Sequence, residues 1–291
     1  MQNIFFTLLT LAVSLLSAEE NELFLKTGAS AGRYISLKEN YLETGIFYAP
    51  NWEDNWIPLI DTSFYRLEDD NWAASAGVGV RYNACDSERL WGANLYYDCR
   101  GFKFRDYCNC QPLGKERRFL SRIGIGFESL GPCFDFRVNG YIPVGSSKFQ
   151  GRETSFNNIG NGYYASFHKN ETNPYGIDGK IGFRTPSYCD FSLYSAIGGY
   201  YYFHDDFKDI VGPQARLALL YSDIAELEAI YTYDRCNNSC FQGRLMFYLP
   251  IDALWNCCDC FCSPCLNLFK QPIRRNGVIF TDRRCSWNYN W

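Results

Sequence analysis

The sequence predicts an all-β fold: an antiparallel transmembrane β-barrel of about 12 strands with a short C-terminal tail. Three observations predict it. Period-2 segments of about ten residues recur along the 291-residue chain, the length a tilted membrane strand needs and longer than the five or six usual in soluble sheets. Each segment has one apolar face and one charged or glycine-bearing face, because side chains alternate across a strand. The links alternate too. Tight turns at Gly131-Pro132 and Ile224-Ala225 contrast with long loops at 100–118, 143–160 and 204–212, as on the two rims of an outer-membrane barrel. The competing architecture is a secreted, disulfide-rich β-sandwich, whose polar faces would be its wet exterior.

From the N-terminus, residues 4–16 (IFFTLLTLAVSLL) form an apolar run that ends at Ser17 and Ala18 before Glu19-Glu20. It is short for a spanning helix, and the small residues before charge suit a signal peptide over 1–18. The absence of Lys or Arg from Met1-Gln2-Asn3 and the bulk of Leu16 leave an uncleaved anchor or an N-terminal core segment as the competing reading. No later stretch reaches ~18 uninterrupted apolar residues, so a membrane passage must be made by strands. An N-terminal segment (19–29) is then expected, followed by the barrel (30–249) and a Cys-rich, basic tail (250–291).

Strands are expected near 30–37, 41–49, 57–67, 71–82, 89–99, 119–129, 132–142, 161–169, 175–184, 190–203, 213–222, 226–235 and 240–249. The pair around Gly131-Pro132 is the clearest. Ile123, Ile125 and Phe127 oppose Arg122, Gly124, Gly126 and Glu128; then Phe134, Phe136, Val138 and Ile142 oppose Asp135, Arg137, Asn139 and Tyr141. Likewise Tyr175, Ile177, Ile181 and Phe183 oppose Asp178, Lys180 and Arg184, and Leu227, Ala229, Tyr231 and Tyr233 oppose Glu226, Glu228 and Asp234. In a barrel the apolar faces meet lipid. Arg81, Asp98, Arg122, Glu128, Asp135, Arg137, Asp178, Lys180, Arg184, Glu226 and Glu228 then point into the lumen, where water or opposite charge solvates them. Two readings of those charges stay open: a plug of ion pairs, or the lining of a small-solute channel.

The specific motifs are WGANLYYDCRGFKF and RFLSRIGIGFESLGPCFDFRVNGYIPVG. They resemble the inverse autotransporter β-domain, the barrel of intimin- and invasin-type adhesins. The carrying residues are Asn94 with Tyr97-Asp98, then Gly124, Gly126 and Glu128, then Asp135, Arg137, Asn139, Gly140 and Tyr141 before Pro143. The tail QPIRRNGVIF is similar to the family's post-barrel segment. The resemblance implies an outer-membrane location, a structural, surface-display or adhesin-related role, and a tail lying in the lumen. The family usually continues into immunoglobulin-like domains, whereas this chain stops at Trp291, so a barrel without a passenger is expected.

Other functions find little support. A net charge of −4 gives no basic footprint for nucleic acid. His168 and His204 are the only histidines, and each reads as a loop or strand-end residue. No G-x-S-x-G elbow occurs, and Gly77-Val78-Gly79 lies inside a strand, where it cannot cradle phosphate. Asp205, Asp206 and Asp209 read as a solvated loop rather than a calcium site. No catalytic residue, cofactor or metal is expected.

The 14 cysteines are the largest departure from the family. Cys236 and Cys240 flank a turn and are placed to close a hairpin. Cys257, Cys258, Cys260, Cys262 and Cys265 form a cluster with some zinc-like spacings but no matching second half. Outside the cytoplasm an even count favours disulfides, and adjacent cysteines cannot readily all pair with one another. The expected partners are therefore outer-membrane lipid and, through intermolecular disulfides, other Cys-rich envelope proteins. A disulfide-linked envelope of this kind resembles that of chlamydia-like bacteria. No host-surface receptor is indicated.

Overall fold

A computed structural model describes residues 23–50, 55–83, 89–108, 111–145, 148–150, 154–157, 164–186, 188, 190–204, 209–222, 224–251, 271–280 and 282–290. Its strands are β1 (Leu23–Gly32), β2 (Tyr41–Tyr48), β3 (Trp56–Leu67), β4 (Trp72–Asn83), β5 (Leu90–Cys108), β6 (Gln111–Leu130), β7 (Phe134–Val144), β8 (Lys148–Gln150), β9 (Thr154–Asn157), β10 (Tyr164–Thr172), β11 (Tyr175–Arg184), β12 (Phe191–Phe203), β13 (Ile210–Tyr221), β14 (Ala225–Asp234), β15 (Asn238–Pro250) and β16 (Asp282–Asn290).

Twelve of them close into an antiparallel barrel, in the order β1-β15-β14-β13-β12-β11-β7-β6-β5-β4-β3-β2. Closure is made by β1, which pairs with β2 on one side and β15 on the other. A closed sheet has no edge, so every backbone polar group of the wall can be satisfied without water. β10 sits outside the wall in a second sheet, flanked by β16 and by β8 and β9.

The two faces of the wall are inverted relative to a soluble protein. Ile125 and Phe127 are 51% and 45% exposed, while Arg122 and Glu128, on the opposite face of the same strand, are 2% exposed. The same alternation puts Phe136, Ile181, Ile197 and Leu217 outside and Arg137 and Asp178 inside. Among the described residues nothing covers the apolar exterior of the closed wall, whose outward side chains stay exposed, which overturns the secreted sandwich. Aromatic rings gather at both ends of that exterior. Trp56 meets Tyr82, Phe134 meets Phe183 and Phe191 meets Tyr221 at the short-turn rim; Phe64, Trp72 and Phe119 meet in series, and Tyr175 stacks on Phe203, at the long-loop rim. Between Trp91 and Gly101 the chain advances ten residues, about 34 Å along the strand. At a tilt near 40° this is about 26 Å of depth, the height of a barrel's apolar band.

Four expectations are corrected. The wall begins at Leu23, inside the segment expected to precede it, because Lys26 and Ser30 face a polar lumen and so do not read as core. Residues 34–37 make only a small bridge, Tyr34 to Leu37. And 161–169 is not wall. Neither face of β10 is apolar (Ala165, Phe167 and Lys169 against Ser166, His168 and Asn170), so it cannot front lipid, and β7 pairs directly with β11. The expected loop 100–118 is the extended β5–β6 hairpin.

Candidate functional site: the lumen and the tail that fills it

The inward residues form a continuous network. Glu128 accepts from Arg81 at 2.7 Å and lies 3.9 Å from Arg137, which also reaches Asp135 at 3.2 Å. Asp135 accepts from the hydroxyl of Tyr194 at 2.9 Å. Asp178 accepts from Asn139 (3.0 Å) and Tyr141 (2.7 Å), with Lys180 at 3.9 Å. Arg184 is buried and lies over the ring of Tyr194. On the opposite wall Glu228 pairs with Arg216 at 2.9 Å and Glu43 with Arg244 at 2.7 Å, while Lys26 pairs with Asp61.

Residues 271–280 run through this lumen. Arg274 pairs with Glu226 and approaches Glu228 at 3.5 Å; its guanidinium lies over Tyr194. Arg275 grips both carboxylate oxygens of Asp98, donates to Ser75 and stacks on Tyr96 at 3.8 Å. Asp98 is fully buried and also accepts from Arg122 at 2.8 Å. The tail backbone is held as well. Asn276 N–H donates to the Tyr141 hydroxyl at 3.1 Å, Arg122 donates to the Asn276 carbonyl, and Arg100 donates to the Ile279 carbonyl at 2.6 Å. Ile279 packs on Phe102 and Leu120, and Phe280 meets Tyr202 edge-on.

Glycine makes the fit possible. A Cβ at Gly124 would come 2.7 Å from the Arg275 guanidinium, and one at Gly277 would come 2.3 Å from the Tyr65 hydroxyl. Beside the tail remain cavities of about 40 Å³, one against Lys26, Asp61 and Tyr96, another against Tyr34, Lys180 and Gln242. Each has room for a few waters.

Arg122, Glu128, Asp135, Arg137, Asp178, Lys180 and Arg184 thus all lie buried in one lumenal network. Sequence reasoning missed Lys26, Glu43, Asp61, Arg100, Arg216 and Arg244, although Arg216 and Arg244 keep the inward parity of their strands. The structure does not join Cys236 to Cys240. Cys236 is exposed, and Cys240 is a buried, unbridged thiol facing the carbonyls of Ile35 and Asn237. The turn is closed instead by Asp234, which accepts from the backbone N–H of Cys236 (2.8 Å) and of Asn237 (2.6 Å). Cys257, Cys258, Cys260, Cys262 and Cys265 lie outside the described residues, as do Asp205 and Asp206. Among the described residues no group of His, Cys, Asp and Glu is gathered to hold a metal ion.

A closed antiparallel barrel with an apolar exterior, an aromatic girdle at each rim and a charged lumen is an outer-membrane β-barrel. The model of the family "Inverse autotransporter, beta-domain" matches residues 60–206, just over half of the chain. The protein belongs to this family and resides in the outer membrane. Among solved structures it is similar to one from a study of the in-meso crystallization of membrane proteins, at 14% identity over 90% of this chain and 100% of that one, TM-score 0.57. It is also similar to the β domain of the Bordetella autotransporter Brka (11% identity, 80% and 100% covered, TM-score 0.42). A third is the translocator domain of autotransporter NalP from Neisseria meningitidis (11%, 86% and 95%, TM-score 0.48). The first of these shares the fold. No curated protein matches the chain significantly.

Proposed function

We propose that this barrel is a structural and surface-display protein of the envelope, presenting its C-terminal segment at the cell surface as adhesin barrels present their passengers. The observation that supports the reading is the path of the tail. β15 ends at the same rim as the start of β1, residues 271–280 traverse the lumen, and β16 pairs with β10 beyond the long-loop rim. In outer-membrane barrels the short turns face the periplasm and the long loops the exterior, so that path runs outward. An epitope tag after Trp291 tests it. Antibody labelling of intact cells is expected; labelling only after permeabilisation would sink the proposal. The lumenal filling weighs against a small-solute channel, since beside the tail the described lumen keeps cavities of about 40 Å³.

Covalent attachment to neighbouring Cys-rich envelope proteins is part of the same proposal. In the sequence the cluster 257–265 follows Pro250, the end of the last wall strand, and in an exported protein an oxidising compartment favours disulfides. A closed barrel gains little from further loop closure, which makes an intermolecular role the more economical one.

A further inference from the structure

Two cavities of equal size, about 40 Å³ each, flank the tail, and their charges differ. The cavity against Lys26 is lined by four cations and by three carboxylates, Glu43, Asp61 and Glu226. Each of these acids is in an ion pair: Asp61 with Lys26, Glu43 with Arg244 and Glu226 with Arg274. The cavity against Lys180 is lined by four cations, Lys180, Arg216, Arg244 and Arg275, and by the single carboxylate of Glu43.

The neighbouring acids do not remove this excess. Arg216 takes Glu228 at 2.9 Å, Arg244 takes Glu43 at 2.7 Å, and Arg274 takes Glu226. Arg275 has to share Asp98 with Arg122. Lys180 is left with Asp178, 3.9 Å away and beyond hydrogen-bond reach. That carboxylate is already held by Asn139 and Tyr141. Among the described residues, one positive charge of this cluster therefore has no carboxylate of its own. Lys180 is only 5% exposed, and a buried charge without a counter-charge is costly.

Unused donors line the same space. Gln242 and Asn276 border the cavity, and neither side-chain amide nitrogen has an acceptor; nor has the Nε of Arg244 or Arg275. Gln242 is 3% exposed. Amide and guanidinium N–H groups gathered with an ammonium suit an anion, because hydrogen bonds to an ionised acceptor are the strong ones. Water would satisfy the donors and leave the charge. Size narrows the class further. At roughly 10–15 Å³ per water-sized occupant, the space takes one monatomic ion with a water or two, and no oxyanion of five heavy atoms. We propose that this cavity binds one monovalent halide, chloride above all, which joins the tail (Arg275 and Asn276) to the wall (Lys180, Arg216 and Gln242) and helps to retain the tail in the lumen.

The test heats the full chain in detergent, in chloride and in gluconate at equal ionic strength, so that screening is the same in both. Heat-modifiable mobility on gels reads unfolding. Saturating chloride should raise the midpoint by about 2–4 °C, and bromide should do the same. Crystals grown in bromide should show an anomalous peak in the lumen beside Lys180. Lys180→Gln balances the charges and should abolish both the shift and the peak. Lys38→Gln, which removes an exposed cation of the β1–β2 loop, should keep both. If Lys180→Gln does not fold, Gln242→Leu removes one neutral donor and should weaken the apparent chloride affinity about five- to tenfold. Equal midpoints in chloride and gluconate, a shift that persists in folded Lys180→Gln, an unchanged affinity in Gln242→Leu, or bromide on the outer surface only would each overturn the proposal.

Discussion

Asp98 illustrates what a single lumenal residue holds. Its carboxylate accepts from Arg122, Ser75 and Arg275, so one side chain ties β4, β5 and β6 to the tail. Removing one partner of a buried pair costs about 3–5 kcal/mol when the other charge is stranded. Arg275→Met leaves Asp98 with Arg122 and Ser75, and the loss should sit below that range. Asp98→Asn strands two guanidiniums and should sit at or above its top. Equilibrium unfolding in lipid vesicles checks the order; a larger loss for Arg275→Met would contradict the assignment of Asp98 as the hub. The inward parity of Asp98 was legible from its strand, but its bond to Arg275, 177 residues away in sequence, was not, because nothing local encodes which acid a tail arginine meets.

At the scale of the strand, alternation predicts opposite costs on the two faces. Ile125 lies midway across the apolar band of β6, and Ile125→Arg should destabilise the barrel by about 2–4 kcal/mol, whereas substitution at the rim residue Ile142 should cost about 1 kcal/mol or less. Refolding yields with heat-modifiable mobility measure both, and equal costs would argue that this face does not meet hydrocarbon. Alternation also explains where reading by strand failed. β1 was hidden because an inward lysine among small residues, Lys26 to Gly32, resembles a polar linker. β10 was misplaced because its spacing is strand-like while neither of its faces suits lipid.

For the whole molecule, the tail decides whether the lumen is a channel. Deleting 266–291 should raise single-channel conductance in planar bilayers, since Arg274, Arg275 and the packed 278–280 segment would vacate the lumen. Arg274→Gln with Arg275→Gln offers a milder opening if the deletion does not fold. Unchanged conductance in folded protein would place the barrier elsewhere. The cysteine cluster makes a separate expectation: non-reducing gels should show high-molecular-weight species that collapse with reductant to a single monomer band, of about 31 kDa if residues 1–18 are removed on export. Replacing Cys257, Cys258, Cys260, Cys262 and Cys265 by Ser should abolish those species and leave the barrel folded; a monomeric band from freshly alkylated cells would end the idea.

The sequence by itself determined most of the wall, though not β1: period-2 alternation, strand length and turn asymmetry are local properties, and each strand displays its two solvents on its two faces. The family was readable for the same reason, its motifs lying within single hairpins. Only the tertiary structure decided which lumenal groups the tail meets and the closing partner of β1. Both rest on contacts between residues far apart in the chain, where the choice among many acids and many strand edges is made by the radius and register of the closed barrel.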